Sequence, residues 1–229
     1  MDFPKGLIVS CQALEGNPFR NPEAIALLAQ AAELGGAAAL RINGTEDISA
    51  VRSRVQIPII GINKKKDDRG DTIITPYFNS AWETAAAGAD IIAVDATLRN
   101  SNMKQHPKEL ICEIKEKLGL PVMADISTLE EAARAVSWGA DAVSTTLSGY
   151  MPGVPYLQEE KYIPNLTLVE QIVDAELGAA VVAEGRFWNP DDVKRAFLLG
   201  IDAIVIGKAI TNPMAITVYY NSYIKEVTK

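Results

Sequence analysis

Short apolar runs alternate with longer segments of helical spacing along the whole chain. Each run holds five or six residues rich in Ile, Val and Ala, and a segment with apolar positions three or four residues apart follows it. This alternation is typical of repeated βα units that build a parallel sheet. Short apolar runs are ambiguous between strand and helix, so the pattern allows six to eight strands. The eight candidates are Leu7–Cys11, Ala37–Ile42, Pro58–Ile62, Asp90–Asp95, Pro121–Asp125, Asp141–Thr145, Ala179–Glu184 and Ala203–Gly207.

Cap residues mark the predicted helix starts between these strands. Asn21 and Asn189 each precede a proline, which suits the first helical position because its missing N–H has no helical partner there. Ser127 and Glu130 have the spacing of a capping box. These positions agree with the strand assignment.

Glycines mark the predicted helix ends. The phrases AAGADIIAVD, SWGADAVSTT and LLGIDAIVIG form a weak internal repeat that places Gly88, Gly139 and Gly200 between a helix end and a strand start. Glycine suits the left-handed position that ends a helix, where a side chain would be strained. Gly35 is expected to play the same part after the first helix.

Eight alternating units without a GxGxxG fingerprint favour a closed barrel over a doubly wound open sheet. The expected fold class is therefore α/β, as a single (β/α)₈ barrel of the TIM type over residues 1–229. A hydrophobic share of 48% is enough for one large core. Two longer segments, 65–75 and 147–165, interrupt the pattern and either cover an active site or form surface loops.

Charge and hydropathy narrow the class of partner. The formal charge is -7 at pH 7 and the basic run is short, Lys64–Lys66, so most of the surface would repel a nucleic-acid backbone. No apolar run approaches the roughly 18 residues that span a bilayer. We expect a small-molecule ligand and neither a nucleic-acid nor a membrane partner. An anionic ligand is compatible, because a few cations in one cleft set the local field.

Polar side chains follow nearly every predicted strand. The carboxyl ends of barrel strands meet on one face, where barrel enzymes do their chemistry, so these side chains predict one shared site. For any single residue a structural role is equally open; Arg41 and Asp125 could simply pair across the barrel mouth. The set consists of Gln12, Arg41, Lys64, Asp95, Asp125, Thr145, Glu184, Arg186 and Lys208.

Lys64 is a candidate base. A run of three lysines is ordinarily a solvated loop, but in an extended segment Lys64 and Lys66 point to the same side. Crowded cations with partial burial would lower the pKa of a lysine toward neutrality, and a neutral lysine can accept a proton.

The turns after the seventh and eighth strands are candidates for phosphate binding. Both carry glycine, so that backbone N–H groups can face an anion, and barrels often place phosphate there. The residues suitably placed in these turns are Gly185, Gly207, Lys208 and Ala209.

Metal and thiol chemistry find little support. His106 is the one histidine and lies far from the strand ends, and Asp95, Asp125 and Glu184 have no dedicated metal spacing, so we expect no metal. Cys11 ends the first strand without a histidine to activate it, which favours a small buried thiol. Cys112 is the second cysteine; with no export signal in view, reduced thiols and a cytoplasmic location are expected.

Several blocks resemble the bacterial N-acetylmannosamine-6-phosphate 2-epimerases along nearly the whole chain. Shorter matches are GGAAALRINGTEDI, IPIIGINKK, ITP and DIIAVDATLR; the main blocks are IVSCQALEG (8–16), ADISTLEEA (124–132), VSTTLSGY (143–150) and AEGRFWNP (183–190). The resemblance implies reversible inversion at C2 between N-acetylmannosamine 6-phosphate and N-acetylglucosamine 6-phosphate, in sialic acid breakdown, without any cofactor.

The resemblance also implies roles for residues. Lys64 matches the catalytic lysine and would move the C2 proton; Glu184 matches the catalytic carboxylate and would assist ring opening, proton return or enolate handling. Gln12, Arg41 and Asp125 match positions that hold the sugar or the developing oxyanion. Thr145 joins them as a strand-end substrate contact, and Arg186 with the Gly207 turn matches the phosphate side.

Four residues depart from the family pattern. Asn212 stands where an Arg near phosphate is usual, and Lys208 stands where a small residue is common, so a cation moved four positions upstream is one compensation. Leu98 replaces a usual Lys, and Asn63 replaces an apolar residue. These changes leave room for an altered substrate.

Three alternatives therefore stay open. They are an epimerase of an unphosphorylated amino sugar, a non-catalytic sugar-phosphate sensor, and a different phosphate-binding barrel enzyme. A sensor needs no base and carboxylate pair, which Lys64 and Glu184 would provide. A homodimer is expected from the frequency of symmetric dimers and from the aromatic segment with Tyr219, Tyr220 and Tyr223.

Overall fold

Eight parallel strands close into a barrel in the computed structural model, which describes residues 2–68, 70–97, 105–150 and 162–228. The barrel strands are β1 Gly6–Cys11, β2 Ala39–Asn43, β3 Ile59–Ile62, β6 Ile91–Asp95, β7 Val122–Asp125, β8 Ala142–Ser144, β9 Ala180–Glu184 and β10 Ala203–Ile206. Two further strands, β4 Lys64–Lys66 and β5 Thr72–Ile74, form an antiparallel hairpin. Around the barrel the order is β1-β10-β9-β8-β7-β6-β3-β2. All eight predicted runs form barrel strands, so the closed barrel is confirmed.

Helices follow the barrel strands and cover the outside. In the described ranges they are α1 Pro22–Leu34, α2 Thr45–Arg52, α3 Phe78–Ala86, α4 Pro107–Leu118, α5 Leu129–Ser137, α6 Leu166–Asp174, α7 Pro190–Leu198, α8 Lys208–Thr211 and α9 Pro213–Val227, with a 3₁₀ turn at Thr145–Leu147. Within the part of the chain that the structure describes, no helix combines the length and the apolar character needed to cross a membrane.

Two of the three predicted helix caps are in place, and the third is shifted by one residue. The side chain of Asn21 accepts from Ala24 N, and that of Asn189 accepts from Asp191 N. The capping box pairs Thr128 with Glu131, so the prediction of a capping box between Ser127 and Glu130 was wrong. Ser127 lies before the cap, where its N–H and hydroxyl both donate to the Glu131 carboxylate.

The predicted helix ends are confirmed at three glycines and corrected at the fourth. Gly88, Gly139 and Gly200 have φ of 110°, 102° and 104°, the region where a side chain is strained. Gly35 caps the first helix with a right-handed φ of -78°, and the left-handed position belongs to the next residue, Gly36, with φ 88°.

Alternate residues of each strand point into the barrel. The inner layer is apolar at the bottom, and the outer layer packs against the helices. Stepping by two from an inner apolar residue therefore leads along each strand to an inward side chain at the carboxyl end. The inner apolar residues from the barrel strands are Ile8, Ala39, Ile60, Ile62, Ile91, Ala93, Met123, Ala142, Val182, Ala203 and Val205.

The segment 65–75 is largely the β4–β5 hairpin. Asn63 N donates to Thr75 Oγ1 at 3.1 Å, and Thr75 N donates back to Asn63 O at 3.1 Å, which closes the hairpin base. Thr75 is buried and has φ 48°, a strained value for a residue with a branched side chain. The hairpin carries Lys64 in its first strand. The second segment, 147–165, falls mostly outside the described residues, as does Leu98.

Candidate active site

Five of the predicted residues lie together at the carboxyl ends of the strands. The step of two explains each position: Ile8 leads to Gln12, Ala39 to Arg41, Ile62 to Lys64, Met123 to Asp125 and Val182 to Glu184. Lys64 bonds to Gln12, Arg41 bonds to Asp125 and Glu184, and the charges of the second group act on Lys64. The barrel mouth is therefore the candidate active site.

Arg41 is the centre of this cluster. Its side chain is 1% exposed, and its guanidinium forks onto Asp125, with Nη1–Oδ1 at 3.0 Å and Nη2–Oδ2 at 2.5 Å. Nη1 also donates to Glu184 Oε2 at 2.5 Å. Arg41 and Asp125 do pair across the barrel, as expected if they had a purely structural role. Arg41 also bonds to Glu184 at the barrel mouth, so the ion pair is part of a larger cluster. We call Arg41, Asp125, Thr146 and Glu184 the carboxylate side of the site.

Burial and charge set the protonation of this cluster. Burial disfavours the charged form of Arg41, but the charges of Asp125 and Glu184 outweigh burial and raise the pKa of Arg41. Burial raises the pKa of Glu184 above its ordinary value, and the charge of Asp125 adds to this rise, whereas Arg41 opposes it. Glu184 is thus a carboxyl group that holds a proton more readily than one in water.

Lys64 faces the same space from the hairpin. Its Nζ donates to Gln12 Oε1 at 2.7 Å, and its backbone N–H donates to Asn43 Oδ1 at 3.0 Å. Burial lowers the pKa of Lys64 from 10.5 to about 8, and the charge of Arg41 contributes in the same direction. The predicted lowering is present, but its cause was wrong in part: Lys66 is exposed, and the cations that act on Lys64 are Arg41 and Lys208.

The two threonines after β8 divide their contacts. The Thr145 hydroxyl donates to Glu184 O and accepts from Glu184 N, both at 2.9 Å, so it holds the backbone end of β9. Thr146 Oγ1 instead lies 2.5 Å from Asp125 Oδ1 and 2.9 Å from Glu184 Oε2. Substrate contact by Thr145 stays a prediction. Sequence reasoning missed Thr146, which the step of two from Ala142 through Ser144 would have found.

The predicted phosphate side of the site comprises Gly185, Arg186, Gly207 and Lys208. Gly207 caps the short helix α8, and a Cβ on it would lie 3.3 Å from the Cβ of Ser10. Lys208 is exposed and acts electrostatically on Lys64, so the Gly207 turn borders the catalytic space. An open turn beside a solvent-accessible cation can accept an anion.

Arg186 is turned toward the loop after β8. Gly185 and Arg186 have φ of 110° and 65°, and the Arg186 guanidinium donates to Ser148 O at 3.2 Å. It also packs against Gly149, where a Cβ would lie 2.8 Å from Nη1, and lies 5.8 Å from the centroid of the Tyr150 ring. Gly149 therefore has to be glycine for Arg186 to take this position.

The remaining candidates have local partners. Thr97 donates to Asp95 Oδ1 with its backbone N–H at 3.1 Å and its hydroxyl at 2.6 Å. His106 caps α4 by accepting from Lys108 N at 3.1 Å. Cys11 is fully buried, and burial raises its pKa to about 12, so the buried-thiol interpretation is confirmed. Across the described ranges, no three His, Cys, Asp or Glu residues are grouped to hold a metal.

Sequence comparison places this barrel among known proteins. Residues 25–226 match the family model "Putative N-acetylmannosamine-6-phosphate epimerase". A protein of Caldanaerobacter subterraneus subsp. tengcongensis, named "Putative N-acetylmannosamine-6-phosphate 2-epimerase", is 44% identical over 222 residues, covering 96% of this chain and 92% of that protein. A protein of the same name from Clostridioides difficile is 43% identical over 218 residues, covering 95% of each.

Structure comparison agrees with the sequence matches. The solved N-acetylmannosamine-6-phosphate 2-epimerase from Clostridium perfringens has a TM-score of 0.87 and 38% identity, covering 95% of this chain and 92% of that one. A lactate oxidase structure from Pediococcus acidilactici has a TM-score of 0.65 at 14% identity, which shows a shared fold alone.

Proposed function

The chain belongs to the N-acetylmannosamine-6-phosphate epimerase family, and from this membership we propose that it inverts C2 between N-acetylmannosamine 6-phosphate and N-acetylglucosamine 6-phosphate. The reaction is reversible and would serve the breakdown of sialic acid and other amino sugars. No metal or organic cofactor is required in this proposal. The observation that carries it is the arrangement at the barrel mouth, where Lys64, bonded to Gln12, and Glu184, bonded to Arg41, come from opposite sides of the ring of strands.

The reaction needs a base, an acid and a stabilised intermediate. The C2 proton lies next to a carbonyl in the open sugar, and it can leave only if the enolate that forms is stabilised. Inversion then requires a proton to return on the opposite face. Two groups that approach C2 from opposite sides meet this requirement.

Lys64 and Glu184 come from opposite sides of the barrel. Lys64 lies two residues after the end of β3, and Glu184 ends β9, four places away in the ring of eight strands. With a pKa of about 8, part of the Lys64 population is neutral at pH 7 and can remove the C2 proton. Glu184, with its raised pKa, would be the source of the proton that returns to C2.

Arg41 and Gln12 would hold the substrate between these groups. The positive charge of Arg41 can stabilise the oxyanion of the enolate. Gln12 orients Lys64 through its Oε1, and its Nε2 donates to Ser10 Oγ at 2.7 Å, so its amide has a defined orientation. Such positioning can contribute roughly 7–11 kcal/mol in favourable reactions.

The phosphate would lie against the Gly207 turn, near Lys208. Asn212, one of the four departures, caps α9: its Oδ1 accepts from Ala215 N at 3.0 Å. Lys208 is then the exposed cation beside the turn. Asn63 donates to Glu83 Oε2 at 3.2 Å, which gives this departure a structural role below the hairpin.

Isotope exchange tests the proposal. The purified protein would be incubated with N-acetylmannosamine 6-phosphate in D₂O, with and without chelator, and proton NMR would follow deuterium at C2. We expect N-acetylglucosamine 6-phosphate that carries deuterium, at the same rate in chelator. Lys64→Ala should lose exchange and product, while Lys66→Ala, a matched change in the same strand, should keep both.

The same experiment separates the alternatives. Product from unphosphorylated N-acetylmannosamine at a rate equal to or above that from the phosphorylated sugar would favour the altered epimerase that Asn212 suggests. Tight binding without exchange would favour a sensor. Neither exchange nor binding would refute the proposed function.

We further propose a homodimer formed through α9. None of the α9 residues is fully buried, and Met214, Val218, Tyr220 and Ile224 are 55%, 53%, 63% and 55% exposed. Of the tyrosines Tyr219, Tyr220 and Tyr223, Tyr219 packs inward: its ring stacks on that of Trp188, with the ring centroids 4.8 Å apart, and it lies near Tyr162.

A second observation supports this surface. An apolar groove of about 250 Å³ lies between α1 and α8, lined by Leu28, Ala32 and Ile210 among others. Light scattering should give twice the chain mass, and Val218→Asp should reduce it to one chain. Leu198→Asp, an exposed apolar position on α7, is the control; a monomeric parent protein would refute the dimer.

A cytoplasmic location, without nucleic-acid or membrane partners, stays a prediction. The location is supported by Cys11 and Cys112, which are both unpaired thiols in the structure, as expected in a reducing compartment.

A further inference from the structure

Ser10 is a buried polar residue at the barrel mouth. Its side chain is 7% exposed and points inward, because it lies two positions after the inward residue Ile8 on β1. In the strand register it stands opposite Arg41 of β2, and on the other side it borders Gly207, the residue after β10. Ser10 therefore lies between a residue of the carboxylate side and a residue of the predicted phosphate side.

The Ser10 hydroxyl is the first member of a chain of hydrogen bonds that ends at the catalytic base. Gln12 Nε2 donates to Ser10 Oγ at 2.7 Å, and Gln12 Oε1 accepts from Lys64 Nζ at 2.7 Å. In the described part of the chain, no other residue accepts a hydrogen bond from Gln12 Nε2. The Gln12 amide is thus held at one end by Ser10 and holds Lys64 at the other.

The donors and acceptors of these three groups fit only one arrangement while Lys64 is charged. Because the pKa of Lys64 is about 8, most of its amines carry a proton at pH 7, and a charged amine can donate but not accept. The amide oxygen of Gln12 must then face Lys64, and the amide NH₂ group must face the other way. A serine hydroxyl can accept from this NH₂ group and still keep its own O–H.

An apolar residue at position 10 would break this chain. The NH₂ group of Gln12 would face a methyl group, and a half-buried donor without a partner is costly. The Gln12 side chain would then turn toward water, and its oxygen would leave the Lys64 amine. The lysine has four rotatable side-chain bonds, so it needs such a partner to stay in one place.

The turn after β10 fixes the position of Ser10 itself. Thr211 Oγ1 of α8 donates to Ser10 O at 2.9 Å, and the Thr211 N–H donates to Gly207 O at 2.9 Å. A Cβ on Gly207 would lie 3.3 Å from Ser10 Cβ and 3.5 Å from Ser10 Oγ, so glycine leaves room for the serine side chain. The backbone of Ser10 is therefore tied to the turn while its hydroxyl is available to Gln12.

We propose that Ser10 is a positioning residue for the catalytic base: its hydroxyl oxygen holds the Gln12 amide, and the Gln12 amide oxygen in turn holds the Lys64 amine at the barrel mouth. The catalytic meaning of this role rests on the proposed function. The position of Lys64, however, can be measured without turnover.

The first test is a double-mutant cycle on kcat with N-acetylmannosamine 6-phosphate. Ser10→Ala should lower kcat by about 5- to 10-fold and change KM by less than about threefold, because it removes a hydrogen bond that orients the base. In a Gln12→Ala background the same change should lower kcat by less than about twofold, because the link to Lys64 is already broken. An equal loss of kcat in both backgrounds, or a rise in KM alone, would overturn the inference.

The second test measures the mobility of Lys64 in the protein without substrate. Lysine labelled with ¹³C at Cε gives one NMR signal for each lysine, and Lys64→Met identifies the signal of Lys64. Relaxation of this signal at pH 7 should show a more mobile side chain in Ser10→Ala and in Gln12→Ala, with no further increase when both are combined. Ser144→Ala, which removes another inward hydroxyl that lies 2.8 Å from Thr146 Oγ1, is the matched control and should leave Lys64 unchanged.

The two tests separate this inference from the proposed function. A Lys64 side chain that stays as rigid in Ser10→Ala as in the parent protein would refute positioning by Ser10, even if the sugar is epimerised. If the parent protein failed to epimerise the sugar while Lys64 became mobile as expected, the proposed function would fail and the positioning of Lys64 would stand.

Discussion

The carboxylate side and the phosphate side of the barrel mouth are built from different kinds of contact. On the carboxylate side, Arg41, Asp125, Thr146 and Glu184 bond to one another at 2.5–3.1 Å. On the phosphate side, Arg186 bonds to the backbone of Ser148, and Lys208 is exposed. Rigid, buried charges suit the control of a proton, whereas an open turn with an exposed cation suits the binding of an anion that must enter and leave.

The largest expected effect separates the catalytic base from the phosphate cation. Lys64→Ala should lower kcat by about 10²- to 10⁴-fold, the usual contribution of a general base, because alanine has no group that can accept the C2 proton in place of the Lys64 amine held by Gln12. Lys66→Ala should leave kcat within about twofold, since this side chain is exposed on the same strand. Steady-state kinetics with both sugars measure the effect. A similar loss in both variants would mean that Lys64 has no special role.

Removal of Arg41 tests whether the carboxylate side is a buried charge network. Arg41→Leu leaves two carboxyl groups facing each other without their cation, and should lower the free energy of unfolding by about 3–5 kcal/mol at pH 7. The loss should be smaller at pH 5, because burial already raises the pKa of Glu184 and this carboxyl group then takes up a proton more readily.

Arg52 provides the matched control for that experiment. It pairs with Asp90 at 2.7 Å at the opposite end of the barrel, where the two side chains are 30% and 32% exposed. Arg52→Leu should lower the free energy of unfolding by about 1 kcal/mol, as is typical of exposed pairs. Urea titrations at both pH values measure the two losses; equal losses would contradict a buried network.

The lowered pKa of Lys64 predicts a gain in stability when the charge is removed. Because the pKa is about 8 in the folded state and 10.5 unfolded, the folded protein binds fewer protons between these values, and its stability rises with pH there. Lys64→Met should therefore increase the free energy of unfolding by about 1–3 kcal/mol at pH 7. The gain should fade from pH 8 to 10.5, and a loss at pH 7 would show that the Gln12 bond outweighs charge burial.

The smallest expected effect is on the phosphate side. Lys208→Ala should raise KM for the phosphorylated sugar by about 3- to 10-fold, with a smaller change in kcat, because an exposed cation contributes on the order of 1 kcal/mol. High salt should reduce the difference. Lys225→Ala on α9 is the control, and an unchanged KM in Lys208→Ala would place the phosphate elsewhere.

Much of the fold could be predicted from local pattern. The eight strands followed from apolar runs, and the caps at Asn21 and Asn189 followed from short-range chemistry. The errors were local as well: the capping box lies at Thr128, and the chain reverses at Gly36. A one-residue shift leaves the apolar pattern almost unchanged, so the pattern alone does not resolve it.

The sequence predicted which residues lie together at the barrel mouth, but only part of the contacts between them. Gln12, Arg41, Lys64, Asp125 and Glu184 all stand at or near the carboxyl ends of apolar runs, which placed them at the barrel mouth. Thr145 was chosen over Thr146 because it ends its run, although strand parity points the next residue inward. Arg186 was assigned to phosphate from the family resemblance, and its guanidinium reaches the loop after β8.

The sequence by itself determined which segments form strands, which faces are apolar and which polar groups stand at the strand ends, because these depend on spacing within a few residues. Closure of the barrel decided the rest. It brought Arg41 of β2 against Asp125 of β7 and Glu184 of β9, 84 and 143 positions away. The protonation of Lys64 and Glu184 depends on burial and on charges from these distant strands, and no local pattern contains that information.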